Sequence, residues 1–247
     1  MRQKINLTSE ALHALAMALM LCDHLWATLF PAAEWMTCLG RLAFPIFAFM
    51  TAEGYARTHD IKRYMLRMLA AALVSEIPFN LMYADSVFYP FHQNVLWTLL
   101  LGLALLYLTD KARERFRGAA RVALYALLVL LGFFLGYAAM LDYYGVGVMT
   151  VLVFRFFPCR GVKNLLCQLA CLYVLNVSLL GGYYYEINIL GHSFELVQQG
   201  FALLSLIPIW LYGGRRGSGG KGFRYFCYAF YPAHMLLLFL TRAWVLR

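Results

Sequence analysis

Nine stretches of this chain are apolar over all or most of a bilayer's width: 11–31, 36–56, 63–83, 93–109, 119–140, 143–157, 162–180, 194–212 and 222–244. A spanning helix needs about 20 mostly apolar residues, because it must bridge roughly 30 Å of hydrocarbon at about 1.5 Å per residue. In that medium every backbone amide must be satisfied internally, which favours helices over any open arrangement of strands. The fold class that follows is all-α, a polytopic membrane helix bundle of about nine transmembrane helices forming one domain over 1–247. The sixth stretch is short and its turn from the fifth is tight, so eight or ten helices are the neighbouring counts.

Composition excludes the other broad classes. Charged residues make up 13% of the chain and hydrophobic ones 63%, with a mean hydropathy of +0.67. Soluble domains are nearer a quarter charged, and a disordered chain would be far less apolar. The first stretch is too long for the apolar core of a secretory signal, and it carries Asp23 and His24 in its middle. It is expected to be a retained helix. Six cysteines form no CxxC pair; Cys167 and Cys171, four apart on an apolar stretch, have no His or acidic residue at ligand spacing and are read as packing residues, so no metal is expected.

Basic residues orient the bundle. With a cytoplasmic N-terminus, 18 of the 21 Lys and Arg residues fall in inner segments. The outer segments 32–35, 84–92, 141–142 and 181–193 hold none, and carry Glu34, Asp85, Asp142 and Glu186 instead. This asymmetry is the positive-inside pattern, and it places the chain as a multi-pass protein of the cytoplasmic membrane. Of the remaining three, Arg41 lies inside the second span, and Arg242 and Arg247 lie outside. The net charge of +9 is thus a matter of topology and of attraction to anionic lipids. The basic residues are dispersed over five segments, so nucleic acid is not an expected partner.

Ionisable side chains inside a span cost roughly 2.5–3.5 kcal/mol each and mark functional sites. At about 1.5 Å per residue, Asp23 and His24 lie roughly 16 Å into the first span, near the midplane, with His234 at similar depth in the last. Arg41 lies roughly 9 Å from the outer edge of the second span. Glu76, Asn80 and Asn94 fall between midplane and outer face, Asp142 at the outer boundary, and Glu53 near the cytoplasm. Asp23 and His24 are about 100° apart around a helix, so they do not face each other. Asp23 is expected to pair with Arg41, leaving His24 to share a cavity with His234. A structural ion pair and two interhelical hydrogen bonds would account for the same residues without chemistry. Pro45 lies four residues after Arg41 and is expected to kink the second span there. Tyr231 and Pro232 precede His234 in the same way.

The inner loop Gly213–Gly222 holds six glycines with Arg215, Arg216 and Lys221. It does not have Walker A spacing, since Arg215 stands five before Gly220. It is a flexible basic loop, or a cradle for the phosphates of a cytosolic donor.

Taken together, Met20-x2-Asp23-His24, Gly40-Arg41-x2-Phe44-Pro45-x-Phe47, Glu53-Gly54, Asn94 at the start of the fourth span and Tyr231-Pro-x-His234-Met run in an order that resembles the TraX family of membrane acetyltransferases. The resemblance covers nearly the whole chain. It implies transfer of an acetyl group from acetyl-CoA to an amine or hydroxyl of an exported or envelope acceptor, a protein N-terminus or a glycan. A member of that family is associated with acetylation of a pilin's N-terminus; the loops here differ from it, so the reaction class carries over and the acceptor stays open. On this reading His24 is base or acyl carrier, His234 the second proton-transfer group, Asp23 an orienting charge and Arg41 its anchor or an oxyanion donor. Glu53, Arg215, Arg216 and Lys221 would serve the CoA donor, and Asn80, Asn94, Asp142 and Tyr231 the acceptor. The rival classes are a proton-coupled transporter or flippase using the same four ionisable residues, against which the lack of an internal repeat counts, and a non-catalytic assembly factor.

Overall fold

The computed structural model describes residues 6–189 and 192–245, without the side chains of Ile187, Ile189 and Lys221. It is mostly helical. Two compact units divide it: the residues up to Phe47 together with those from Cys159 onward, and Ala48–Pro158.

In the first unit, Thr8 caps α1 (Ser9–Thr28), its hydroxyl accepting from Ala11 N at 3.2 Å. The next span is broken in two, α2 (Glu34–Gly40) and α3 (Ala43–Arg57), of which α3 belongs to the first unit up to Phe47 and to the second from Ala48. The break falls at Arg41 and Leu42, and Pro45, four residues after Arg41 in the first turn of α3, has no N–H to give the Arg41 carbonyl. The α8 helix (Gly161–Tyr173) continues as a π-helical turn, Val174–Leu180, in which Asn176 Nδ2 donates to the Leu172 carbonyl at 2.9 Å.

The stretch after it departs from the all-helical expectation. Strands β2 (Tyr184–Ile189) and β3 (His192–Val197) pair antiparallel, with Tyr184 opposite Val197 and Ile189 opposite His192. The helix expected over 194–212 therefore loses its first turn to a strand. What remains is a 3-10 turn, Gln198–Ser205, and the short α9 (Leu206–Trp210). Gln198, Gln199 and Gly200 interrupt the apolar run, and Pro208 cannot donate to a preceding carbonyl. A second small sheet joins β1 (Leu7–Thr8) and β4 (Tyr212–Arg215) in parallel, and α10 (Gly220–Val245) ends the unit.

The second unit holds α4 (Ile61–Ala84), α5 (Val95–Arg115), α6 (Gly118–Ala138) and α7 (Tyr144–Phe156). Asp60 caps α4 through Arg63 N, and Asn94 caps α5 through Leu96 N. The fifth and sixth expected stretches are joined by a turn with Met140, Tyr143 and Tyr144 at positive φ, a backbone region that bulky residues seldom enter. Backbone bonds of Gln93 to Met140 and Asp142 hold it. Directly behind it α6 and α7 touch backbone to backbone: a Cβ on Gly136 would stand 2.6 Å from Gly145 Cα. Residues Gly145–Phe154 of α7 are all buried.

Among the described residues, six helical segments are long and apolar enough to cross a membrane: Ser9–Thr28, Glu34–Arg57, Ile61–Ala84, Val95–Arg115, Gly118–Ala138 and Gly161–Leu180. The chain is a multi-pass membrane protein.

Candidate functional site

The first unit brings α1 and α2 so close that the Asp23 carboxylate lies flat against Gly40. A Cβ added there would stand 2.6 Å from Asp23 Oδ1, so this position accepts no side chain while Asp23 keeps its place. Arg41 forms an ion pair with Asp23 Oδ2, and the Thr37 hydroxyl donates to Oδ1 at 2.7 Å. Arg41 Nε also donates to the Thr37 carbonyl at 3.4 Å. The two charged side chains are only 14% and 13% exposed, so each serves as the other's main compensation in a medium that solvates charge poorly. From Thr37 the network runs outward: Gln198 Nε2 donates to Thr37 Oγ1 at 3.4 Å and lies 3.5 Å from the Tyr185 hydroxyl. Burial, with a hydrogen bond to Cys38 next, pushes the Tyr185 phenol up to about 12, which keeps it a neutral hydroxyl.

The second pair joins α1 to α10. His24 Nδ1 and His234 Nε2 are 2.7 Å apart, both residues are buried, and the ring planes lie within 8° of parallel. His234 Nδ1 is 2.7 Å from the Phe230 carbonyl, which can only accept. That fixes the protons. His234 carries its hydrogen on Nδ1, so its Nε2 offers a lone pair. His24 must then donate from Nδ1, which in the neutral ring leaves its own lone pair on Nε2. Phe230 stacks on His234 with centroids 4.7 Å apart, and Tyr231 packs beside it at 5.9 Å.

The other residues singled out from sequence have their own partners. Asn94 Nδ2 donates to the Ala72 carbonyl at 2.9 Å and to Glu76 Oε2, and Trp97 Nε1 donates to the same oxygen at 2.9 Å. Asn80 Nδ2 reaches the Val87 carbonyl at 3.4 Å. Asp142 accepts from Tyr143 N at 3.1 Å and faces His92 at 3.4 Å. Burial works to lower the His92 imidazole, but the hydrogen bond and charge of Asp142 outweigh it and the net shift is upward. Glu53 pairs with Arg57 one turn on. Arg215 and Arg216 are exposed, and the side chain of Lys221 lies outside the described residues. The glycine loop is not an open anion cradle: Gly219 N donates to Glu10 Oε2 at 2.7 Å, so its amide already holds a carboxylate.

Sequence reasoning missed Thr37, Gln198 and Tyr185. Thr37 lies four residues before Arg41 and so shares its helical face, a signal that was present. Tyr185 could not have been found without the hairpin.

A family description, TraX protein, matches residues 8–242. The chain belongs to the TraX family. The match takes in both pairs, from Asp23 to His234. The TraX chain is also 26% identical over 254 residues to the probable fimbrial assembly protein FimC, serogroup H1, of Dichelobacter nodosus, covering 96% of this chain and 97% of that one. No solved structure matches it.

Proposed function

We propose that this TraX-family protein is a membrane-embedded acyltransferase, moving an acetyl group from cytosolic acetyl-CoA to an amine or hydroxyl of an exported or envelope acceptor. The observation that carries the reading is the buried contact of His24 Nδ1 with His234 Nε2 at 2.7 Å. Two neutral imidazoles in series, ending on the Phe230 carbonyl, make His24 Nε2 the basic atom and give the imidazolium it forms an immediate acceptor for its other N–H. His24 takes the proton from the attacking amine or hydroxyl as the new bond to the thioester carbonyl forms. It returns that proton to the thiolate as the carbon–sulfur bond breaks. Arg41 fixes Asp23 and is the positive charge available to a developing oxyanion.

The same reading has nine crossings of the cytoplasmic membrane with the N-terminus inside. They comprise the six long segments, α7, the 198–210 segment and α10. The α7 helix rises only about 20 Å, and its burial on all sides supports a place inside the protein. Exposed Arg215 and Arg216 suit the donor's phosphates. The Dichelobacter relative's name, a probable fimbrial assembly protein, supports an exported fimbrial subunit as an acceptor class.

The test uses the protein in nanodiscs with radiolabelled acetyl-CoA, envelope extract and peptides with free N-termini. Label transfer is expected, reduced about 10²-fold or more by His24→Ala, the usual worth of a general base, and less by His234→Ala. No CoA binding and no transfer, with solute flux in liposomes, would make the protein a transporter. Inertness in both assays would make it an assembly factor.

A further inference from the structure

Within the second unit, one group of buried polar oxygens has no hydrogen-bond partner among the described residues. Glu76 receives Asn94 Nδ2 and Trp97 Nε1 on Oε2 alone. Its other oxygen, Oε1, is buried, and among the described residues no hydrogen bond reaches it. Four residues on, the same face of α4 carries Asn80, only 2% exposed, whose Oδ1 is likewise buried without a partner. Ser75, fully buried beside Glu76, has an unpartnered hydroxyl. On the same turn Pro78 has no N–H to give the Val74 carbonyl.

Buried polar atoms are normally paired, and those left over ask for an explanation. Two facts restrict what would satisfy these. The unmet atoms are oxygens, and the Asn94 and Trp97 donors are already committed to the opposite side of the carboxylate. Glu76 is the one acidic side chain of the group, beside Asn94, Trp97, Asn80 and Ser75, so a single positive charge would complement its carboxylate. A divalent transition metal does not suit it: among the described residues no three His, Cys, Asp or Glu side chains come together to hold one. Oxygen ligands with a single carboxylate suit a hard monovalent ion or an ammonium N–H donor set.

We propose that Glu76 and Asn80, with Ser75 at the flank, form a binding site for one compact monocation, a sodium ion or a primary ammonium group. The proposal does not rest on the acyl-transfer reading, though it gives Asn80 a different ligand from the acceptor which the family resemblance implies. A built-in reporter lies alongside: Trp97 donates to the carboxylate that the cation would bind, so its fluorescence follows occupancy.

The experiment measures melting temperature and tryptophan emission of the intact protein in nanodiscs. Sodium chloride, methylammonium chloride and choline chloride are compared at equal ionic strength. A rise in melting temperature of several degrees with sodium or with methylammonium, absent with the bulky choline ion, is expected, and whichever salt acts names the source. Glu76→Gln should weaken the half-saturating concentration by about tenfold or more, as loss of a charged partner does. If that variant is unstable, Asn80→Leu, which leaves the Glu76 bonds to Asn94 and Trp97 in place, should weaken it as well. Trp97→Phe should lose the emission change and keep the thermal shift. Equal effects of all three salts, or a cation response that survives Glu76→Gln or Asn80→Leu unchanged, would overturn the proposal. So would an emission change that survives Trp97→Phe.

Discussion

Gly40→Ala adds one methyl group and should still disable the charged pair of the site. Gly40 closes α2 in a helical conformation that alanine adopts readily, so the backbone itself gains about 1 kcal/mol from the change. Against that stands the position of Asp23. The new Cβ meets the Asp23 Cβ first and stands 2.6 Å from Oδ1, where ordinary contact begins at 3.4 Å, so the Asp23 side chain must retreat by at least about 0.8 Å. A retreat of that size takes the 2.7 Å Thr37 hydrogen bond out of useful range and pulls Oδ2 off Arg41. Hydrogen bonds to charged groups contribute about 1.5–3 kcal/mol each. With one lost, the other weakened and the helical gain set against them, the net destabilisation is about 2 kcal/mol. Unfolding in mixed micelles would measure it, beside acetyl transfer. The decisive arm is the double variant: Asp23→Gly removes every side-chain atom that the methyl strikes, so adding Gly40→Ala to it should cost nothing further, a coupling of about 2 kcal/mol. A Gly40→Ala protein as stable as the parent, or additive effects in the double variant, would refute the packing of Asp23 on Gly40.

Gly136→Ala should be harsher, because its Cβ meets the Gly145 backbone, which cannot swing aside; a loss of about 3 kcal/mol is expected. Size-exclusion chromatography in detergent should show loss of the folded, monodisperse species, with Gly222→Ala, which meets nothing within 4 Å, as the neutral control. The His92–Asp142 pair predicts a pH dependence. His92 in the folded protein titrates above its ordinary 6.5, so its contribution is complete below 6.5 and fades as pH rises through the raised value. Melting temperatures taken from pH 6 to 8.5 should fall in the parent and flatten in Asp142→Asn, by well under 1 kcal/mol for so exposed a pair. Tyr55 donates to Asp110 Oδ2 at 2.9 Å, and Arg155 spans both Asp110 oxygens at 3.1 Å. Tyr55→Phe should cost about 1 kcal/mol, since the ion pair is a third exposed, and Asp110→Ala more. Chemical denaturation of the two variants separates them.

Most of the helices are legible in the sequence because the bilayer imposes a length, and apolar runs of that length leave little choice. The 161–180 and 118–138 segments fall almost where hydropathy puts them. The 194–212 stretch does not, because hydropathy averages over a window and cannot see that Phe194–Val197 has a strand partner ten residues earlier. The Asp23–Arg41 pairing was readable from charge alone: two opposite charges at nearby depth in a poor solvent have few other partners. The His24–His234 contact was readable as proximity, but its proton order depended on the Phe230 carbonyl, a backbone atom that no residue type announces. Thr37 and Gln198 are neutral and common in helices and turns, and they became visible once Asp23 had a direction.

The two histidines stand 210 residues apart in the chain. A ribosome must therefore have made the chain as far as α10 before the pair exists. Until α10 inserts, the nascent chain holds His24 in the bilayer with no ring to receive its N–H. A copy cut before α10 therefore lacks the pair, and on the acyltransferase proposal it would transfer no acetyl group, however well its first helices are seated.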